Sequence, residues 1–434
     1  MASTYLTRTC GTASNRKIFT FSFWMKISEI ASNYNEIFNT WYSSNNRFIF
    51  YLNGSNGQFN IFNTTGGSTN TWLQTNRVFR DFNAYYHIYI AVDTTQSTAS
   101  DRIKLYVNGV QETSFSQNTY PPQNTDMKIN PDNTYSVIIG RNGTNNQYYF
   151  NGILSHFYYV DGSVIDIAQF GSVDNLSGEW KINTDPTIAS FGNEGFLILK
   201  DGNTVTDQSP NSNNFTVGGG TLTKTEDSPS NLFATWNPLD FTPPNPPNTV
   251  YANGNTSVTT SASTGSSSDV WGTLGAVSGK YYYEIKMTNN PSDSNNTGMA
   301  VGWGNSETQE RITYYSGNGY QYYDSGSAAY GNTYTQNDII GCAVDLTNGT
   351  IEFYKNGTSQ GSITNRITTN TGFWKPLTWD GSGSLTASWN ANFGNGYFGT
   401  TAVSSAGTNA SGIGIFEYDV PTGYTALSTK GLNL

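Results

Sequence analysis

Ala91–Gln111 reads AVDTTQSTASDRIKLYVNGVQ, and Ala343–Gly361 reads AVDLTNGTIEFYKNGTSQG. With Asn108-Gly109 set on Asn356-Gly357, Ile103 falls on Ile351, Leu105 on Phe353 and Tyr106 on Tyr354. Ile103, Leu105 and Val107 alternate with Arg102, Lys104 and Tyr106, the pattern of a strand with one buried and one wet face. Ile351 and Phe353 alternate in the same phase. Each run stops at Asn-Gly, which supplies the two positive-φ positions of a tight hairpin turn. Both copies begin at Ala-Val-Asp, and the second shortens TTQSTASDR to a second Asn-Gly turn at Asn348-Gly349. The expectation is one meander used twice, with Leu105 and Phe353 facing inward.

The rest of the composition agrees. Charged residues are 12% of the 434, aromatics are 15% and Gly numbers 45, against about a quarter charged in an ordinary domain. A chain this aromatic and this poor in charge is not disordered. Asn, Ser, Thr, Gly and Tyr in excess make strands joined by many turns. The one helical candidate is a turn or two at GSVIDIAQF. The formal charge of −10 and the absence of a basic run argue against nucleic acid. No apolar stretch approaches the roughly 20 residues of a membrane span, so no membrane insertion is expected. MASTYLTRTC has no signal-peptide core, so release would need another route such as lysis. Cys10 and Cys342 form no disulfide framework and are expected as buried free thiols.

The clearest break is NPLDFTPPNPPNTVYANGN, Asn237 to Asn255, whose prolines forbid a central strand. The layout expected is a sandwich over 1–200, a polar and Pro-rich connecting segment over 201–245, and a second sandwich over 246–434.

The first half resembles the laminin-G-like, concanavalin A-like jelly rolls. FTFSFWMKI is similar to that family's early strand with a buried Trp, here Trp24, and IIGRNGTNNQYYFNGILSHFYYVDGSVI to its closing strands. The second half resembles the SPRY family in VSGKYYYEIKM, GMAVGWGN, NDIIGCAVDLTNGTIEFYKNG and FWKPLTWDGSGSLTASWNANFG. The fold class implied is all-β, with two concanavalin A-like jelly-roll sandwiches in tandem, laminin-G-like and then SPRY-like. DQSPNSNNFTV, DSPSNLFATWNPL and VPTGYTALSTKGLNL resemble a family of marine tailed-phage virion proteins that join these two domains. That resemblance implies a virion surface protein made in the host cytoplasm, a fibre, knob or decoration. It is expected to act as a homo-oligomer in the particle, with other virion proteins or host-surface polysaccharide as partners. The fold itself does not carry a molecular role.

Concanavalin A-like hydrolases project paired carboxylates from one strand, and Glu-x-Asp-x-x-Glu is absent here. Glu307 and Glu310 read as a solvated loop. GTSQG fits a nucleophile elbow but sits on the outgoing limb of a hairpin, and GNGYFG lacks the helix a dinucleotide site needs. His87 and His156 fall in strands with no metal-ligand spacing. No enzyme activity and no cofactor are expected. Calcium at a loop rim stays an alternative through the resemblance, with Asp161 and Asp380 beside glycines equally readable as turn residues. Flat sugar faces stack on exposed aromatics. The candidate contacts for glycan or partner are Trp41, Tyr42, Trp72, Trp379 and Asp380, all read as loop or rim residues. A structural decoration protein without a host ligand and a polysaccharide depolymerase are the alternatives.

Overall fold

The structure, a computed structural model, describes residues 3–30, 33–143, 147–200, 204–240, 249–260, 268–289, 299–305, 307–323, 326–367, 372–380 and 386–434. It is all-β and divides into two units, Met1–Lys224 and Thr225–Leu434.

In the first unit the strands are β1 (Tyr5–Thr9), β2 (Ile18–Ile27), β3 (Asn35–Ser43), β4 (Asn46–Leu52), β5 (Gln58–Thr65) and β6 (Ser68–Val78). Then follow β7 (Tyr85–Asp93), β8 (Ile103–Val107), β9 (Val110–Glu112), β10 (Phe115–Thr119), β11 (Ser136–Ile139) and β12 (Gly152–Asp161). The last are β13 (Gly171–Val173), β14 (Trp180–Ile182), β15 (Phe196–Ile198) and β16 (Thr216–Gly219). One sheet runs β10-β6-β5-β4-β3-β11-β1-β16 and the other β15-β12-β2-β7-β8-β9. They face each other across an aromatic core. Phe19, Phe21, Phe23, Met25 and Ile27 alternate along β2 and are all buried in it. Phe21 bridges the sheets, 4.8 Å from Phe38 and 4.9 Å from Phe50 between ring centroids.

The second unit repeats the plan. Its strands are β17 (Val250–Ala252), β18 (Ser257–Thr259), β19 (Ser268–Trp271), β20 (Lys280–Asn289), β21 (Met299–Asn305), β22 (Arg311–Tyr315) and β23 (Tyr320–Tyr323). After them come β24 (Gly326–Ala329), β25 (Ile339–Asp345), β26 (Thr350–Lys355), β27 (Thr358–Thr364), β28 (Trp374–Asp380) and β29 (Ser388–Asn392). One sheet holds β17-β18-β29-β20-β25-β26-β27 and the other β19-β28-β21-β22-β23-β24. Tyr283, Trp303, Trp374, Trp389 and Phe353 fill the space between them.

The repeated stretch forms the same hairpin in both units. Leu105 pairs with Ile90 and Phe353 with Cys342, and all four are buried in their cores. Asn108 and Asn356 both have φ of 49°, and Gly109 and Gly357 both have φ of 77°, where Asn and Gly are tolerated best. The Asn108 side-chain oxygen accepts the His87 amide at 2.8 Å, and that of Asn356 accepts the Ile339 amide at 2.8 Å. Each Asn thus closes the turn back onto the preceding strand.

A later segment covers the outer face of each hairpin-bearing sheet. In the first unit it is 163–192, expected to hold a helical turn and containing one 3-10 turn at Ile167–Gln169 capped by Asp166. Phe170 packs on Tyr158 and Tyr89, with centroids 5.3 and 5.9 Å away. Trp24, expected in the core, lies under this segment instead. Alternation along β2 turns it outward, where it stacks on His87 at 4.9 Å, with Trp180 stacked 5.8 Å from the same imidazole. In the second unit the covering segment is C-terminal. Phe416 lies 5.1 Å from the Tyr282 ring, and the buried Glu284 clamps the chain beside it. One Glu284 oxygen accepts the Glu417 amide at 2.8 Å and Asn392 Nδ2 at 3.3 Å. The other accepts the Tyr418 amide at 2.9 Å and the Tyr282 hydroxyl at 3.2 Å.

The polar stretch expected to connect the sandwiches is divided between them. β16 pairs with β1, and Phe215 is buried in the first core. Asp207 accepts the amides of Leu197, Ser209 and Asn213 and the Ser209 hydroxyl. Ala234 and Trp236 are buried in the second core. Few apolar residues mark this stretch because side-chain hydrogen bonds hold it. Cys10 and Cys342 are free and buried, in different units.

Two outcomes follow for stability. Asn108→Ala leaves the His87 amide without its acceptor at a left-handed position, and Asn356→Ala does the same to Ile339. Each substitution is expected to cost about 1–3 kcal/mol, lowering the unfolding transition of its own unit in calorimetry of the full chain and leaving the other in place. Burial pushes the Glu284 carboxyl from 4.5 up to about 7, against its four hydrogen bonds. Between those pH values the folded unit keeps a proton that the unfolded chain has released, so stability falls as pH rises through that window, by a few kcal/mol at most. Glu284→Gln should flatten this slope in urea unfolding at pH 4.5 to 7.5 and speed amide exchange at Glu417 and Tyr418.

Candidate binding face

A sandwich buries the inner face of each sheet, and the covering segments bury one outer face per unit. The candidate tryptophans sit on the outer face of the opposite sheet, on strands rather than on loops. Trp41 is in β3, Trp72 in β6 and Trp379 in β28. The strands run past their apolar centres through polar Asn, Thr and Ser residues, which pair as well as the apolar ones do.

In the first unit the register builds a row across five strands. Trp41 pairs with Arg47, Ile49 with Phe62, Phe62 with Trp72, and Trp72 with the edge residue Thr119. The Arg47 guanidinium carbon lies 4.9 Å from the Trp41 ring centre and 5.2 Å from that of Phe62. Phe62 meets Trp72 edge to face at 6.1 Å. Trp72 Nε1 donates to Asn60 Oδ1 at 3.0 Å, which fixes the indole. Arg47, Phe62 and Trp72 are half-buried, with one edge of the row open.

Trp41 does not offer a free ring. It is 9% exposed, and Gly143 lies so close that a Cβ there would come 2.2 Å from Trp41 Cγ. It serves as a wall for Arg47. Tyr42 is 58% exposed but packs on Tyr135 at 5.2 Å, outside the row. Beside Trp41 the buried Glu36 accepts Asn142 Nδ2 at 2.7 Å and Asn39 Nδ2 at 3.3 Å. Burial raises its pKa, opposed by the Asn142 hydrogen bond and by the charge of Arg47.

Trp379 belongs to the second unit. It meets Tyr315 edge to face at 5.3 Å, and Tyr315 lies 4.7 Å from Tyr322. Tyr315 is 2% exposed, so this stripe is narrower than the first. The Asp380 side chain lies outside the described residues.

Sequence reasoning missed Arg47 and Phe62, which sit in runs read only as strands. The signal was available. Arg47, Ile49 and Tyr51 alternate with the core residues Phe48, Phe50 and Leu52, and a short turn joins β3 to β4, which brings an outward Arg opposite an outward Trp.

Other chemistry is committed to the fold. Asp161 accepts the amides of Ser14 at 2.5 Å, Asn15 at 3.1 Å and Glu194 at 3.2 Å. His87 is fully buried, which pushes its pKa down to about 3. Its Nδ1 accepts from Trp180 Nε1 at 3.0 Å, so Nε2 carries the proton and donates to Ser22 Oγ at 2.8 Å. An imidazole donating to a serine cannot take that serine's proton. Glu307 lies exposed in the turn between β21 and β22. Among the described residues no three His, Cys, Asp or Glu side chains gather as a metal group.

Residues 2–164 match the concanavalin A-like lectin/glucanases superfamily, and residues 280–375 match the SPRY domain. The chain therefore carries one domain of each kind, and such domains generally bind or scaffold rather than catalyse. It is similar to Ran-binding protein 9 of Danio rerio, 32% identical over 97 residues, covering 20% of this chain and 16% of that protein. The human Ran-binding protein 9 is likewise 32% identical over 97 residues, 20% of this chain and 13% of the relative. The chain thus spans under a fifth of the curated relatives it matches. Among solved structures, a human SPRY domain aligns with TM-score 0.26 and 18% identity, over 33% of this chain and 93% of its own. A heptameric SAP-like pentraxin from Limulus polyphemus aligns with TM-score 0.30 and 14% identity, over 46% and 90%.

The different placements of Trp41 and Trp72 predict different responses. Trp41→Ala empties a buried site and should lower first-unit stability by about 3 kcal/mol or more. Trp72→Ala, half-open, should cost clearly less. Chemical unfolding of the two variants checks the order.

Proposed function

We propose that this chain is a non-catalytic virion surface protein that adheres to host-surface glycans through the outer face of its first sandwich. The observation that carries this reading is the half-open row of Arg47, Phe62 and Trp72, with the indole fixed by Asn60. Two pre-positioned aromatic edges beside a guanidinium suit a pyranose, which presents an apolar face and a polar rim. The buried carboxylates Asp161 and Asp207 of the same unit are occupied as backbone clamps, which supports binding without hydrolysis. The virion setting rests on the resemblance of the linking segments, and the other expected partners are neighbouring virion proteins, with copies of the chain arrayed as a homo-oligomer. Among the described residues no metal group supports calcium at this face, and the row needs none.

A single stacked ring contributes on the order of 1 kcal/mol beyond its buried area, so one site binds weakly and adhesion depends on many copies. Purified particles should contain the protein. Trp72→Ala should lower particle adsorption at least about fivefold, with the protein still incorporated and folded. Unchanged adsorption by such particles favours a purely structural decoration, and release of reducing sugar from envelope polysaccharide by the pure protein favours a depolymerase.

A further inference from the structure

Arg47 is a cation without an ion-pair partner. Ten ion pairs join Lys or Arg to Asp or Glu among the described residues, from Arg8–Glu194 to Lys375–Asp240, and Arg47 is in none of them. It makes no hydrogen bond either, and its Nε is buried without a partner. Glu36, whose carboxyl feels the charge of Arg47, spends its oxygens on Asn142 and Asn39. In a chain of net charge −10 an acid in ion-pair contact with Arg47 is easily supplied, and Glu36 is turned to amide donors instead. Trp41 and Phe62 hold the guanidinium instead, by cation–π contact that leaves its in-plane donors unused.

We infer that the row takes an anionic pyranose, with its carboxylate or sulfate on Arg47 and its ring against Phe62 and Trp72. The inference rests on the glycan reading above and adds the class of sugar. A hexuronate or sugar sulfate carries its charge one or two bonds from the ring. A sugar ring set against the open edges of Phe62 and Trp72 therefore brings the anion to a guanidinium whose carbon is 5.2 Å from the Phe62 centre. A planar guanidinium fork pairs two donors with a carboxylate, so the contact supplies orientation as well as attraction. The net negative charge of the chain works against indiscriminate capture of acidic polymers, which leaves selectivity to this one cation.

The full chain is titrated by tryptophan fluorescence and affinity electrophoresis with polygalacturonate, dextran sulfate and neutral dextran, at low salt where a half-buried charge is least screened. Binding to at least one acidic polymer in preference to dextran is expected, and Arg47→Met, which keeps apolar bulk between the rings, should weaken it about tenfold or more. Arg47→Lys separates the sources: it should retain dextran sulfate better than polygalacturonate if the fork reads a carboxylate, and both alike if charge alone matters. Unfolding midpoints of both variants report folding, and if Arg47→Met unfolds, Arg47→Lys and the salt dependence of wild-type binding carry the test. Preference for neutral dextran, or equal acidic binding by wild type and Arg47→Met, overturns the anionic class and leaves the glycan reading standing. Binding of none of the three polymers, with Trp72→Ala also silent in adsorption, removes both.

Discussion

In each unit the glycine of the Asn-Gly turn sits under an aromatic ring from later in the chain. A Cβ on Gly109 would come 2.3 Å from the Trp180 ring, and one on Gly357 would come 2.6 Å from that of Tyr418. The turn therefore needs glycine twice over, for its φ of 77° and for the ring above it. This contact fixes more than a corner. It pins the covering segment to the hairpin, and the segment then seals the outer face of that sheet, with Ala91 and Ala343 at matching positions beneath it. Once that face is sealed, it is the opposite sheet that keeps half-open aromatic residues on its outer face.

Sealing determines how the acidic residues are used. Glu194 pairs with Arg8 and accepts the Gly11 amide, Asp161 gathers three amides, and Glu284 holds the C-terminal segment by two backbone amides, with Asn392 and Tyr282 as further donors. Each of these carboxyl groups has its oxygens engaged by donors of the fold, which leaves them no free lone pair to take a proton from a substrate. The negative formal charge of the chain thus coexists with a sheet face on which the conspicuous charge is a cation.

The doubled hairpin was legible in the sequence down to its inward residues, because alternation and Asn-Gly are local signals with a direct geometric meaning. The all-β class followed from composition together with these signals, and the two concanavalin A-like sandwiches from the family resemblances of each half. The site was legible only in part. Trp41 and Trp72 were singled out, yet as loop residues, and Trp24 was placed in the core rather than under the covering segment. Exposure depends on which segment folds over which sheet, and nothing local in FTFSFWMKI announces that 163–192 will return to cover it. Arg47 was invisible for a related reason: its meaning comes from Trp41 and Phe62 on neighbouring strands, a pairing set by register. The 201–245 stretch looked like a connector because its polar residues are common in linkers, whereas here Asp207 and its partners form a hydrogen-bonded clasp.

The segments that make this chain recognisable are largely those clasps. DQSPNSNNFTV holds Asp207 and Phe215, DSPSNLFATWNPL leads into the buried Phe233 and Trp236, and GKYYYE ends in Glu284. Trp41, Arg47, Phe62 and Trp72 lie outside all three. Substitution in a clasp exposes a buried carboxylate or opens a core. A substitution at Arg47 or Trp72 changes a half-open surface at far smaller cost in stability. Chains that share the clasps are therefore free to differ on the face, and resemblance through them carries the fold across without carrying the ligand. The ligand has to be argued from the face itself, where an unpaired guanidinium between two rings is the most specific chemistry the first sandwich offers.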